Sequence, residues 1–169
     1  MRWMPAGGLP EPWREEGHPG FRVASERVEL RTDKALQIID VTELVEERVR
    51  RSHVADGLVS VQSLHTTAAV VANENEPRLL RDFERLLERL APPGAHYEHD
   101  DLEARRPRPA PDERRNGHAH CRALVLGGSL TLNVAGARID LGGWQRIFLV
   151  ELDGPRARTI SIHVLGMTR

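Results

Sequence analysis

Strand patterns crowd the last third of the chain, and they restrict the fold more than any other feature of the sequence. Short stretches with the apolar and polar pattern of half-buried strands cover residues 118–126, 129–134, 138–141, 144–152 and 159–164. Short turns separate them, such as Ala135-Gly136-Ala137. Strands joined by short turns pair antiparallel, so we expect a largely antiparallel sheet or sandwich.

Two helices are predicted beside this sheet. Asp40 suits an N-cap, and the apolar residues over 41–49 recur at helical spacing. Asn75 is placed to cap a second helix with Pro77 in its first turn, and residues 79–90 carry its apolar stripe. Earlier strands are predicted from Phe21, over residues 57–64 and over residues 68–72. The predicted fold class is α+β, with two helices packed on the sheet.

The length of 169 residues suits one domain with a flexible arm in front of it. Residues 1–20 are rich in proline, glycine and charge and are predicted to form that arm, so residues 21–169 form the single domain. A second irregular stretch, residues 96–116, contains an Arg/Pro-rich run at residues 105–111. A polar loop of that length is typically functional or disordered.

Charge, cysteine content and hydropathy argue against several classes of protein. The formal net charge of −1 argues against a chain built mainly to bind nucleic acid. Cys121 is the single cysteine, which rules out an intramolecular disulfide and fits a reducing, cytoplasmic setting. No stretch approaches the roughly 20 apolar residues that span a bilayer, and no signal peptide is recognisable. We expect a soluble, cytoplasmic protein that binds neither nucleic acid nor membranes.

Four of the eight histidines are candidate metal ligands. His118 and His120 lie two residues apart at the start of a predicted strand, where both side chains project from one face and can grip one divalent ion. His99 lies in the preceding loop, and His65 ends an apolar strand. Three neutral imidazoles with one open position are typical of a catalytic zinc site. The alternative is that these are hydrogen-bonded or surface histidines without a metal.

Polar residues near the ends of two other predicted strands are further candidates. Thr66 and Thr67 follow His65 and offer hydroxyls and backbone N–H groups to an anion, or else satisfy their own turn. Asn73 and Glu74 precede a predicted helix. A carboxylate there can serve as a general base or metal ligand, or it can stabilise the helix by interacting with the helix dipole. The sequence leaves both pairs of alternatives open.

Two segments near the end of the chain contain the remaining candidate site residues. Gly142-Gly143-Trp144-Gln145 offers a ring for stacking beside a backbone that a ligand can approach, although a hairpin with a buried tryptophan has the same pattern. Glu151 and Asp153 share a face of their predicted strand and can bind a metal or a hydroxyl, or cap the turn before Arg156.

Taken in order, six of these motifs resemble those of the YjbQ family, often labelled the secondary thiamine-phosphate synthase family. The resemblance runs from about residue 21 to residue 165. The motifs are His65-Thr66-Thr67, Asn73-Glu74-Asn75-Glu76, Tyr97-Glu98-His99, Asn116-Gly117-His118-Ala119-His120, Gly142-Gly143-Trp144-Gln145 and Glu151-Leu152-Asp153-Gly154-Pro155-Arg156. Each motif is weak alone, but six in order with sensible spacing are specific.

The resemblance implies an antiparallel α+β fold, a homotrimer and a divalent metal ion, zinc-like or Mg²⁺, without an organic cofactor. It favours His65, His99 and His120 as ligands, with His118 next. The expected catalytic residues are His65, Glu74, Glu151 and Asp153. The residues expected to bind substrate are Thr66, Thr67, Asn73, Asn116, Trp144, Gln145 and Arg156.

The resemblance also implies a reaction, the joining of a pyrimidine methyl diphosphate to a thiazole phosphate with release of diphosphate. Arg146, Arg156 and the loop arginines are candidates for binding the phosphates of this small-molecule substrate. Two alternatives remain, a metal-dependent hydrolase in which Glu74 or Glu151 activates water, and a non-catalytic trimer that binds a metabolite. The chain departs from the family in having Gly143 where threonine is common, and in a longer loop at residues 103–115, placed to cover or extend the site.

Overall fold

Two antiparallel sheets and three helices make up the computed structural model, which describes residues 14–18, 20–110 and 112–168. The strands are β1 (Arg14–His18), β2 (Phe21–Arg31), β3 (Gln37–Asp40), β4 (Val54–Ser63), β5 (Ala68–Glu74), β6 (Ser129–Ala135), β7 (Arg138–Ile139), β8 (Gln145–Glu151) and β9 (Ala157–Thr168). The helices are α1 (Thr42–Ser52), α2 (Pro77–Leu90) and α3 (Gly117–Leu126), with a 3-10 turn at Glu98–Asp100.

The larger sheet has six strands in the order β1-β2-β9-β4-β6-β7, and the smaller has three in the order β3-β8-β5. Every neighbouring pair is antiparallel. The last strand of the described chain, β9, lies between β2 and β4 and pairs with both over most of its length. The structure confirms the predicted α+β class with its antiparallel sheets.

The small sheet is buried on both faces, so the fold has layers. One face of β8, with Ile147 and Leu149, packs toward the large sheet and α1. The other face, with Phe148 and Val150, packs against α2 and α3. This explains why β8 reads as a nearly continuous apolar run rather than as a strict alternation. It also fixes α3 against the end of the small sheet where the candidate site lies.

The segment 118–126 is a helix, α3, and the strand predicted there is wrong. Ala119, Arg122, Ala123 and Leu126 recur at helical spacing and form the buried or half-buried side of α3. Alanine and leucine also favour helix, and the helix ends before Gly127, whose φ is +89°. The described residues therefore form three α-helices where two were predicted.

The caps of the two predicted helices differ from expectation by one residue each. Glu76, not Asn75, caps α2, because its carboxylate accepts from the N–H groups of Arg78 and Leu79. Pro77 occupies the first turn as predicted. Before α1, Asp40 Oδ1 accepts from the Thr42 N–H at 2.9 Å, although the cap residue itself is Val41.

The proposed arm at residues 1–20 lies largely outside the described residues. The part that is described, β1, pairs along its whole length with β2. In the described part of the chain, no helix is both long and apolar enough to cross a membrane.

Candidate functional site

His99 and His120 form the closest histidine pair of the candidate site. His99 lies in the 3-10 turn and His120 in the first half of α3, and their ring centroids are 4.5 Å apart. His118 instead lies near Tyr97, at 6.4 Å between centroids. Residues two apart on a helix point in nearly opposite directions, since each residue turns about 100°. The expectation that His118 and His120 share one strand face is therefore wrong.

Burial favours the neutral form of two imidazoles of this cluster, those of His118 and His120. Burial lowers the pKa of His120, and the neighbouring His99 lowers it further. Burial and the nearby Arg122 likewise lower the pKa of His118. The Nε2 atom of His99 and the Nδ1 atom of His118 are buried and have no hydrogen-bond partner among the described residues. An imidazole nitrogen without a proton can donate a lone pair to a metal or accept a proton.

His65 is tied to the backbone through one ring nitrogen. Its Nε2 accepts a hydrogen bond from the Thr159 N–H at 2.7 Å, which leaves Nδ1 as the nitrogen that carries the proton. Burial lowers the pKa of His65, and the charges of Arg158 and Arg156 add to this effect. The neutral ring therefore helps to hold the turn between β4 and β5 against β9, and its Nε2 is already occupied.

Glu151 is saturated by a buried hydrogen-bond network. Its side chain is 0% exposed and accepts from Arg158, the Thr32 hydroxyl and the Leu152 and Asp153 N–H groups. Burial alone raises the pKa of Glu151, but the hydrogen bonds from Arg158 and the Asp153 N–H bring it below its usual value. This geometry favours a structural role for Glu151 over that of a general base.

Arg158 is the residue that the sequence reasoning missed. It is 2% exposed and donates to both Glu151 oxygens and to the Thr67 hydroxyl. Thr67 is thereby engaged in the same network, whereas Thr66 is exposed at the turn. The available signal was a charged residue in front of the alternating strand pattern at 159–164.

Asp153 lies between the histidines and two arginines. Its carboxylate accepts from the Asn116 amide at 2.9 Å and forms an ion pair with Arg156 at 3.1 Å. Arg114 donates to the Asp153 carbonyl at 3.2 Å. The negative charge of Asp153 raises the pKa of both His118 and His120 and so partly opposes the effect of burial. Five of the predicted site residues, namely Asn116, His118, His120, Asp153 and Arg156, are thus brought together here.

The Arg/Pro-rich loop lies beside the histidine pair. Arg105 and Glu113 form an ion pair at 3.8 Å. Burial is the main cause of the lowered pKa of His120. The charge of Arg105 also lowers this pKa, and the charge of Glu113 raises it. The NH1 atom of Arg105 is buried without a hydrogen-bond partner among the described residues. The loop therefore supplies a guanidinium to the same region as Arg114 and Arg156.

The remaining predicted site residues lie at the opposite end of the small sheet. Glu74 pairs with Gln145 at one end of the β5–β8 ladder, and Ala68 pairs with Glu151 at the other. Gln145 and Glu151 are the two ends of the seven-residue strand β8, six steps apart, which is about 20 Å. Asn73 and Trp144 lie at the Gln145 end. A single chain therefore does not bring these four residues to the imidazoles.

The described residues contain no group of three or more His, Cys, Asp or Glu side chains arranged to hold a metal ion. The candidate site consists instead of the packed imidazole pair of His99 and His120, the nearby His118, the carboxylate of Asp153 and the guanidinium groups around them. This arrangement can bind an anion through the arginines and transfer a proton through an imidazole.

The fold and site define a small antiparallel α+β protein with a histidine cluster at one end of its inner sheet. A family model described as UPF0047 protein YjbQ-like matches residues 26–167. The chain belongs to this family.

Relatives and solved structures agree with the family over most of the chain. A UPF0047 protein from Methanothermobacter thermautotrophicus is 40% identical over 86% of this chain and 94% of its own. UPF0047 protein YugU from Bacillus subtilis is 30% identical over 82% and 97%. The crystal structure of a YbjQ-like protein of unknown function from Sulfolobus solfataricus has a TM-score of 0.78 at 32% identity, covering 86% of this chain and 99% of that one.

Proposed function

We propose that the protein is an enzyme that acts on a small phosphorylated substrate, with a divalent metal ion bound at the His99–His120 pair. The observation that carries this proposal is the pair itself. Two imidazole rings pack 4.5 Å apart, and the Nε2 atom of His99 is buried without a partner among the described residues. A buried polar atom without a partner is costly, so its persistence in a fold favours a role in binding.

The residues present suit a metal ion as a partial ligand set. Imidazole nitrogen is a good ligand for Zn²⁺ and similar ions, and the lowered pKa of His120, due mainly to burial, keeps that ring ready to bind at neutral pH. His118 is the next candidate, through its unpartnered Nδ1 atom. A bound divalent ion would supply positive charge for polarising a phosphoryl oxygen. The remaining coordination positions would be left for water or substrate.

The substrate class follows from the guanidiniums around the pair. Arg114 and Arg156 both contact Asp153, and both side chains are part-exposed. Arg105 lies near enough to His120 for its charge to lower the pKa of that ring. Guanidinium groups bind phosphate through paired hydrogen bonds. Thiamine-phosphate synthesis, which releases a diphosphate, is the specific reaction that this arrangement and the family resemblance support first.

A metal-dependent hydrolase with Glu74 or Glu151 as its base fits this geometry less well. Both oxygens of Glu151 are occupied by hydrogen bonds, and Glu74 lies at the far end of the β5–β8 ladder. Asp153 is the carboxylate that lies beside the imidazoles, and it is engaged with Asn116 and Arg156. We therefore assign proton transfer to an imidazole rather than to a glutamate.

Metal binding is the first test. Purified protein is analysed for bound elements and then titrated calorimetrically with Zn²⁺, Mn²⁺ and Mg²⁺. We expect about one ion per chain, with binding lost in His99→Ala and in His120→Ala. His96→Ala is the matched control, since His96 is exposed in the preceding loop, and it should bind as the wild type does. Failure of all three ions to bind the wild-type protein contradicts the metal.

Catalysis is tested separately with the pyrimidine methyl diphosphate and the thiazole phosphate together. We expect release of diphosphate that depends on both substrates and is reduced in Arg156→Ala and His120→Ala. A protein that binds the ion and either substrate without turnover in these conditions contradicts this reaction. It supports instead the non-catalytic metabolite binder.

A further inference from the structure

Arg122 is a buried cation that the proposed function does not use. It lies on the buried side of α3 and is only 2% exposed. Its Nε atom donates to the Ala91 carbonyl at 3.0 Å, at the end of α2. Its NH2 atom is buried and has no hydrogen-bond partner among the described residues. The protein therefore satisfies one part of this guanidinium and leaves another without an acceptor.

The charge of Arg122 has no carboxylate in direct contact among the described residues. Burial lowers the pKa of Arg122, and the charge of Glu88 opposes this effect without a hydrogen bond. Glu88 is itself exposed on α2. The end of α2 supplies only a partial negative charge, about half an elementary charge. Because a buried charge is costly unless it is paired, the remaining positive charge favours an anion.

His118 has a second unpartnered nitrogen on the same side of α3. It lies four residues before Arg122, where side chains of a helix are neighbours. Burial is the main cause of the lowered pKa of His118, and the charge of Arg122 comes next, which places the guanidinium close to this ring. The Nδ1 atom is buried without a hydrogen-bond partner among the described residues. With the proton of the neutral ring on Nδ1, this atom is a donor like the NH2 atom of Arg122.

Tyr97 borders the same region from the loop side. Its ring lies 6.4 Å from the His118 ring between centroids, and its hydroxyl donates to the Pro92 carbonyl just after α2. A Cβ atom at Gly117 would lie 2.5 Å from the Tyr97 Cβ atom, so this side chain packs directly on the start of α3. The two unpartnered nitrogens therefore lie in the interior between α3, the end of α2 and Tyr97.

We infer that a small monovalent anion, such as chloride, binds between the guanidinium of Arg122 and the Nδ1 atom of His118. Both nitrogens then have an acceptor, and the buried charge has a counter-ion. The Born cost of burying an ion rises with the square of its charge, so this interior position disfavours a dianion such as sulfate. The inference does not depend on the proposed function. It assigns Nδ1 of His118 to the anion and leaves His99 and His120 to the metal.

Thermal stability tests the anion in solution. Chloride is raised from zero to about 200 mM, with gluconate holding the ionic strength constant because screening alone changes stability. A ligand that binds only the folded state stabilises it about elevenfold at ten times its Kd, which raises Tm by about 3–6 °C in a chain of this size. Bromide should act as chloride does, and sulfate should not.

Substitutions locate the effect. Arg122→Met removes the guanidinium, so the Tm of this variant should not respond to chloride, and His118→Ala should respond less than the wild type. Arg89→Met is the matched control, because Arg89 is exposed in the last turn of α2, and it should respond as the wild type does. Wild-type crystals soaked in bromide give a measurement that needs no variant to fold. We expect an anomalous peak in contact with the Arg122 NH2 and His118 Nδ1 atoms.

Equal chloride dependence of Tm in the wild type and in Arg122→Met overturns the inference. So does a wild-type Tm that chloride does not change, with a water at these nitrogens in the bromide-soaked crystal. Bromide in the crystal without any effect on Tm is an adventitious ion only, and it overturns the inference as well. Metal binding is measured separately on the same protein. A chain that binds chloride and no metal retains this site and contradicts the metal, and the opposite result removes the anion site alone.

Discussion

Removal of Arg158 should destabilise the protein strongly, because it leaves Glu151 buried without its cation. The Arg158→Met substitution removes the donors to both carboxylate oxygens and to Thr67. Breaking a buried ion pair from one side costs about 3–5 kcal/mol. Glu151 keeps its hydrogen bonds from Thr32 and from the Leu152 and Asp153 N–H groups, so we expect the lower end, about 3 kcal/mol.

The assay is urea denaturation at neutral pH, supported by thermal melting. For a chain of this size a loss of about 3 kcal/mol lowers Tm by about 6–12 °C. Arg85→Met is the matched control, because Arg85 pairs with Asp82 on the surface of α2, with both side chains more than half exposed. Surface pairs contribute about 0–1 kcal/mol, so this variant should be close to wild type.

A second readout separates charge burial from lost packing. Without Arg158 the main group that offsets burial is lost, and we expect the pKa of Glu151 to rise above its value in the unfolded chain. The variant then gains stability relative to wild type as pH falls through that raised pKa. Arg158→Met with Glu151→Gln should recover much of the loss at neutral pH. A loss below about 1 kcal/mol for Arg158→Met, independent of pH, refutes the reasoning.

Two further predictions concern His65 and the β4–β9 pairing. Because the pKa of folded His65 is lowered, mainly by burial, the wild type should lose stability as pH falls from about 7 to about 5. His65→Gln keeps an acceptor for the Thr159 N–H but does not titrate, so the Tm of this variant should fall less over that range. If Tm depends on pH equally in the variant and the wild type, the assignment to His65 is wrong. Gly57→Ala should cost more than about 2 kcal/mol in urea denaturation, since its Cβ would lie 2.1 Å from the Leu165 carbonyl oxygen. Gly94→Ala, with open space around it, should change stability by less than about 0.5 kcal/mol, and equal losses in the two variants refute the steric argument.

The regular elements with a clear period could be predicted from the sequence. The pattern at 57–64 became β4 (Val54–Ser63), and that at 68–72 became β5. Pro77 and the leucine stripe after it located α2. These elements are amphipathic or bordered by strong turn signals. The local residue preferences and the pattern of buried positions therefore favour the same secondary structure.

The sequence predicts a strand in place of α3 because His118 and His120 lie two residues apart, which is the period of a strand. The competing signal was the helical recurrence of Ala119, Arg122, Ala123 and Leu126, followed by Gly127. In this segment the choice between helix and strand is decided by packing against the small sheet, which periodicity over so few residues does not show.

The composition of the site was predictable in part. The motif residues proved to lie at two ends of one sheet, and only the pairing of β5 with β8 reveals this. The contact between His99 and His120 depends on how a long loop closes, and the partners of Glu151 depend on a buried arginine from another sheet. Such long-range choices leave no local trace in the sequence.

The central position of β9 has a consequence for how the chain folds during synthesis. Its two neighbours, β2 and β4, are synthesised long before it. Until residues 157–168 leave the ribosome, each of these strands has one edge whose backbone N–H and C=O groups lack their hydrogen-bond partners in β9. Sheet edges of this kind invite pairing with other chains. Closure of the large sheet is therefore a late event that depends on distant contacts, and the nascent chain is most prone to aggregation just before its last strand arrives.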